Sequence, residues 1–145
     1  MPRKRKNALQ GRQCAALAFA EQEGETKILL VTSRETHRWV LPKGWTEKHL
    51  APHEAAAKEA FEEAGIMGEI RDTPIGSYAY MKRISDGCSI ACEVDVFPMQ
   101  VRRLLDDWPE KAQRERRWFT LPEAAMAVEE GELVTLLLRL AAPQP

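Results

Sequence analysis

Glu59, Glu62 and Glu63 lie within five consecutive residues, with Glu59 three residues before Glu62 and four before Glu63. At about 100° of rotation per residue, a helix through them gathers the three carboxylates on one side. A bare helix gains nothing from this arrangement. Glu59 repels each of the other two by roughly 0.2–0.5 kcal/mol. Glu62 and Glu63 also stand in the last turn, beside the negative end of the helix dipole, which costs about 0.3–1 kcal/mol per exposed charge. Lys58 is the cation placed to relieve Glu62, in the less favourable order. The residues alone leave two readings open: a solvated acidic surface, or a face that takes a divalent cation and turns repulsion into coordination. Mg²⁺ suits the second, because it takes oxygen ligands and binds through one or two carboxylates together with waters and substrate phosphates.

The elements around this segment follow from punctuation and periodicity. Pro52 fits the first position of a helix and Gly65 the position just past its end, so a helix is predicted over 52–64. Ala57, Ala60, Phe61 and Ala64 form its expected contact face. Upstream, 13–20 and 27–32 are apolar and separated by a polar stretch, which predicts a hairpin. Residues 39–41 predict a brief strand entering a turn at Pro42-Lys43-Gly44. Downstream, strands are expected over 68–71, 75–81, 89–101 (with Pro98 near a bulge or edge) and 117–120. A helix should begin at Pro122, capped by Thr120 or Leu121, and a terminal helix should run over 132–140 with Leu133, Leu136, Leu137 and Leu140 buried. This order predicts an α/β chain: a mixed sheet with helices on both faces.

The segment from Gly44 to Ile66 resembles the Nudix box: a glycine, five residues, a glutamate, seven residues, then Arg-Glu-apolar-any-Glu-Glu-any-Gly-apolar. Gly44, Glu59, Glu62, Glu63, Gly65 and Ile66 match. Leu50 stands where the early glutamate belongs, and Lys58 replaces the arginine. Leu41-Pro42-Lys43-Gly44, the strand ending in Ser33-Arg34, and the late segment from Asp106 to Phe119 are similar to the branch that hydrolyses diphosphoinositol and diadenosine polyphosphates. The resemblance implies a Nudix-type α/β/α sandwich and hydrolysis of a phosphoanhydride with Mg²⁺, or Mn²⁺, as cofactor. It implies that Glu59 and Glu63 bind the metal directly, that Glu62 completes the site or holds a second ion, and that Ser33, Arg34 and Arg114 contact phosphate. The Lys43 backbone carbonyl is a further candidate ligand. The general base is left between the helix cluster and a later acid such as Glu93.

Other candidates come from position. A glycine at 44 leaves the metal unobstructed, and Lys43 is placed to touch phosphate or to face solvent. Tyr80, Lys82 and Arg83, at a strand end, would clamp a polyphosphate or simply finish a polar hairpin. Alternation along an extended segment sends Arg114 and Arg116 one way and Arg117 the other; pairing with Asp106, Asp107 and Glu110 is the competing use of these arginines. His37, His49 and His53 lack ligand spacing and read as surface residues, although His49 and His53 precede the helix N-terminus, where anions bind.

Composition narrows the function class. The chain has 145 residues, a net charge of −1 and 30% charged residues. That is one domain, expected over 11–142 behind a basic arm at 1–10, and it lacks the global positive field that binds long nucleic acids. Three cysteines without a CxxC pair argue against a disulfide or zinc framework and for a reducing compartment. Cys88 and Cys92 are expected to share a strand face and pack. No apolar run reaches membrane-spanning length. The expectation is therefore a soluble cytoplasmic enzyme for a small polyphosphorylated substrate, with monomer and homodimer equally open. The alternatives are a catalytically weak Nudix-like nucleotide sensor, suggested by Leu50 and Lys58, or an enzyme for nucleoside triphosphates or RNA 5′ ends.

Overall fold

The computed structural model describes residues 10–143, so residues 1–9 of the expected arm lie outside the described part; Gln10 already opens the first strand. In chain order the elements are β1 (Gln10–Gln22), β2 (Glu25–Thr32), β3 (Trp39–Val40), β4 (Lys43–Trp45), α1 (Pro52–Ala64), β5 (Ile66–Ile70), β6 (Gly76–Ser85), β7 (Cys88–Leu104), a 3₁₀ turn (Lys111–Gln113), β8 (Arg116–Thr120), α2 (Leu121–Ala127) and α3 (Gly131–Ala141). The eight strands form one mixed sheet ordered β3-β2-β1-β7-β5, with β4 on β1, β6 on β7 and β8 on β2.

Alternation along the central strands sorts the core into two layers. Cys14, Ala16, Leu29, Val31, Phe97 and Met99 face α1, together with Ala55, Ala56, Ala60 and Ala64. Ala15, Leu17, Ile28, Leu30, Val94 and Val96 face α2 and α3, together with Leu133, Leu136 and Leu137. The α/β/α sandwich expected from the element order is the observed architecture.

Several local expectations change. Residues 43–45 form a strand rather than a turn, with Lys43 opposite Ala15 and Gly44 opposite Cys14, so β1 fixes the approach to the acidic helix. The contact face of α1 is turned from the expected one: Phe61 is 37% exposed, while Glu63 is buried at 6%. The helix is covered by more than the sheet, and periodicity alone could not show this. Leu140 is exposed rather than part of the α3 stripe, and Cys88 is exposed while Cys92 is buried. Pro98 lies between the stretch of β7 that pairs with β6 and the stretch that pairs with β5. Its missing N–H thus falls where the partner strand changes. Thr120 caps α2: its Oγ1 accepts from the Glu123 N–H, and the Glu123 carboxylate accepts from the Thr120 N–H.

Candidate active site

The helix α1 has the predicted bounds. Pro52 occupies its first turn, the Glu54 carboxylate accepts the Ala51 N–H at 2.8 Å, and Gly65 closes it in the left-handed region at φ 66°. Glu59 and Glu63 from this helix line a cavity of about 520 Å³. The cavity is also lined by Lys43, Gly44 and Trp45 of β4, Ser33, Arg34 and Arg38 of the β2–β3 connection, Tyr80, Lys82 and Arg83 of β6, and Glu110 and Arg114. The structure therefore brings together Glu59, Glu63, Ser33, Arg34, Lys43, Gly44, Lys82 and Arg114. It leaves Glu62 out: that residue does not line the cavity, and its carbonyl accepts the Glu110 N–H at 3.0 Å. Glu93 is outside too, beside Arg12 at 3.9 Å, and so are His49 and His53, the latter in a separate shallow cavity with Phe19 and Arg71.

Glu59 and Glu63 are within hydrogen-bonding reach of each other, so a proton shared between them relieves the like-charge contact. Burial pushes the Glu63 carboxyl up to about 8, against the opposing pull of Arg114, and the Glu59 contact adds to the rise. Burial raises Glu59 as well. Burial lowers the Lys43 ammonium even though Glu63 and Glu130 face it, and its Nζ lies 5.0 Å from the Tyr80 ring centroid.

Arg114 donates through Nε to Glu110 at 2.7 Å and through Nη1 to the Thr32 carbonyl at 3.0 Å, and its Nη2 lies 3.6 Å from the Glu63 carboxylate. The pairing with Glu110 expected for Arg114 is present, and the same side chain lines the cavity. Ser33 Oγ accepts the Arg38 N–H at 3.1 Å and bonds Thr36, so it shapes the turn on which Arg34 stands. Arg34 reaches Gln113 at 3.2 Å, and Lys82 lies 5.9 Å from the Trp45 ring centroid. Glu110, like Glu35 of the β2–β3 connection, is a cavity acid that no sequence signal singles out for the site. Glu110 sits outside the box, and only the return of the chain over the end of α1 delivers it.

The two departures from the box find other work. Leu50 is half-buried and packs against the core beneath α1. Lys58 pairs with Glu47 at 3.1 Å, and its charge pulls the Glu59 carboxyl down against the effect of burial.

Among the described residues no three His, Cys, Asp or Glu side chains converge as a ready-made metal cage. Two adjacent carboxylates do suit Mg²⁺, which fills its remaining positions with water and phosphate oxygens. A dication would replace the proton the pair shares, and the all-oxygen donor set does not favour zinc. Gly44 supports this fit, because a Cβ there would overlap the Glu59 carboxylate. Gly44→Ala is expected to leave the fold intact, since the carboxylate can swing aside. Displacing that carboxylate by about 1 Å should cost roughly 10²-fold in kcat. Unchanged kcat in Gly44→Ala would show that Glu59 does not act from this position.

The raised carboxyl pKa sets a pH dependence whose sign follows from proton counting. Between pH 4.5 and about 8 the folded protein holds a proton on Glu63 that the unfolded chain has released. Stability from this group is complete below that window and lost as pH rises through it. Metal binding displaces the proton, so apparent Mg²⁺ affinity should rise over the same range. The check is a pair of thermal-unfolding series, metal-free and with Mg²⁺, on wild type and Glu63→Gln; the wild-type slope attributable to Glu63 should be missing from the variant.

A family model, the NUDIX domain, matches residues 11–137, and the chain belongs to that family. It is 40% identical over 101 residues to Nudix hydrolase 12, mitochondrial, of Arabidopsis thaliana, covering 68% of this chain and 50% of that protein. It is 27% identical over 120 residues to diphosphoinositol polyphosphate phosphohydrolase 2 of Rattus norvegicus, covering 81% and 63%. The crystal structure of a C. elegans Ap4A hydrolase superposes with a TM-score of 0.63 at 18% identity, over 90% of this chain and 96% of that one, which shows the shared fold. The chain thus spans about half the length of its Arabidopsis relative.

Proposed function

We propose that the chain is a divalent-metal-dependent pyrophosphohydrolase that cleaves a phosphoanhydride bond in a small polyphosphorylated molecule of the diadenosine or diphosphoinositol type. The observation that carries it is the Glu59–Glu63 pair beside Gly44 in a cavity that also presents Arg34, Arg38, Lys43, Lys82, Arg83 and Arg114. Glu59 and Glu63 would hold Mg²⁺, or Mn²⁺, which when bound neutralises charge on the phosphate oxygens and acidifies a water. Arg114 keeps Glu63 in place and has N–H groups left for a phosphate; Lys43, Lys82 and Arg34 supply the remaining positive charge. Ser33 shapes the turn that carries Arg34. Glu110 and the Glu59–Glu63 pair are the acids placed to receive the water's proton. The names of the rat and Arabidopsis relatives support a hydrolase, and the name of the rat relative supports an anionic substrate with several phosphates.

The test is product identification after incubation with diadenosine tetraphosphate, a diphosphoinositol polyphosphate, nucleoside triphosphates, ADP-ribose and 5′-triphosphorylated RNA, with and without Mg²⁺. Mg²⁺-dependent cleavage of one of the first two is expected. Tight binding without turnover would instead identify a sensor, and preference for triphosphates or RNA would move the enzyme to another substrate class. No helix among the described residues is long and apolar enough to cross a membrane. The three free cysteines favour a reducing compartment; the cytoplasm is our proposal, and fractionation set against the mitochondria named for the Arabidopsis relative tests it.

A further inference from the structure

The last carbonyls of an α-helix have no partner inside the helix and usually turn to water or to a cap. At the end of α1 four consecutive carbonyls are instead taken by one later segment. Glu62 O accepts from Glu110 N at 3.0 Å, Glu63 O from Trp108 Nε1 at 2.9 Å, Ala64 O from Arg116 Nη1 at 2.7 Å, and Gly65 O from Leu105 N at 2.9 Å. Trp108 and Arg116 act as one unit. The guanidinium carbon lies 4.0 Å from the Trp108 ring centroid, and Nη2 donates to the Leu105 carbonyl at 2.7 Å, joining the two ends of the segment.

Three features suggest that this strap does more than close a helix. It grips Glu63 at both ends, its carbonyl through Trp108 and its carboxylate through Arg114. The helix has no basic residue of its own in its last turn, so Arg116 is the cation facing the negative end of the dipole, where Glu62 and Glu63 cost most. Gly65 admits the strap: a Cβ there would lie 2.9 Å from Arg116 Nη1 and 3.0 Å from the Trp108 ring.

We propose that Trp108 and Arg116 are positioning residues that fix the last turn of α1, so that Glu59 and Glu63 present their carboxylates to the metal in one geometry. This rests on the metal-binding reading of the site given above. Neither residue lines the cavity. Groups behind metal ligands set ligand orientation, and their loss typically costs about 10–100-fold in metal affinity or activity.

The experiment compares Trp108→Phe, which keeps a ring and removes the N–H, with Arg116→Met, Arg116→Lys and Thr120→Ala. The last variant removes the α2 cap on the opposite layer and controls for lost stability. Mn²⁺ affinity is read by water-proton relaxation on the full chain, and kcat and KM on the best substrate of the panel, below every unfolding midpoint. Trp108→Phe and Arg116→Met should weaken Mn²⁺ binding and lower kcat by about 10-fold each, with substrate KM within about twofold. Arg116→Lys, which keeps the charge and a single donor nitrogen, should recover part of both. Thr120→Ala should lose thermal stability alone. If the strap variants behave like Thr120→Ala, the inference is overturned, and Arg116→Lys decides the matter should Trp108→Phe fail to fold. A wild type that binds no Mn²⁺ would overturn the reading of the site, and this inference with it.

Discussion

Glu63→Gln is expected to lower kcat by about 10³-fold while leaving the protein folded. The activity loss follows from the proposed metal assignment: a centre that stabilises transition-state charge by several kcal/mol would lose one of its two carboxylates, and about 4 kcal/mol corresponds to about 10³-fold. The intact fold follows from the carboxyl's surroundings. With a pKa raised to about 8, Glu63 in the metal-free protein is already protonated at neutral pH, and glutamine copies that neutral form in shape and donor capacity. Arg114 keeps Glu110 and the Thr32 carbonyl as partners. Stability at pH 7 should therefore change by no more than about 1 kcal/mol. Glu59→Gln should fall to a similar rate, and the double variant should be little worse than either alone, because the two carboxylates act as a unit. Steady-state kinetics beside thermal unfolding checks all three. Additive losses would mean that the two glutamates act separately.

Arg114→Met should have the largest effect on stability. The Arg114 side chain is 9% exposed, and its removal leaves Glu63, at 8%, and Glu110, at 23%, without their shared cation. Breaking a buried pair from one side costs about 3–5 kcal/mol, on the order of 10 °C in midpoint for a chain of this size. The cost depends on pH. Losing Arg114 removes the influence that lowers the Glu63 pKa, so the carboxyl holds its proton to higher pH. The loss should then be smallest near pH 6, where Glu63 stays neutral, and largest above about 8. Equal losses at both pH values would show that Glu63 does not depend on Arg114 for its charge.

The sequence made some of these features legible and hid others for physical reasons. The bounds of α1 are written locally, in a proline that tolerates only the first turn and a glycine that accepts φ 66°. The division of Arg114 and Arg116 from Arg117 was also readable: the first two reach the α1 end, while Arg117 stacks 4.7 Å from the Trp39 ring centroid. What periodicity misjudged is which residues of α1 are covered. It favours Phe61 over Glu63 because it weighs side-chain chemistry, whereas Glu63 is engaged by a strap more than forty residues later in the chain. The same distance hid Glu110. The strand at 43–45 was read as a turn because three residues carry no alternation; its identity is fixed by pairing with β1. Leu50 and Lys58, the departures that raise the sensor alternative, are a core contact and a partner for Glu47.

Our proposal assigns the metal to Glu59 and Glu63. Its most direct test is a Mn²⁺ titration followed by water-proton relaxation, on wild type and on the Glu59→Gln, Glu63→Gln double variant at pH 8.5, with circular dichroism to verify that both are folded. Saturable binding in the wild type that disappears in the folded double variant is the expected result. Equal binding by the two proteins would place the metal elsewhere and contradict the account.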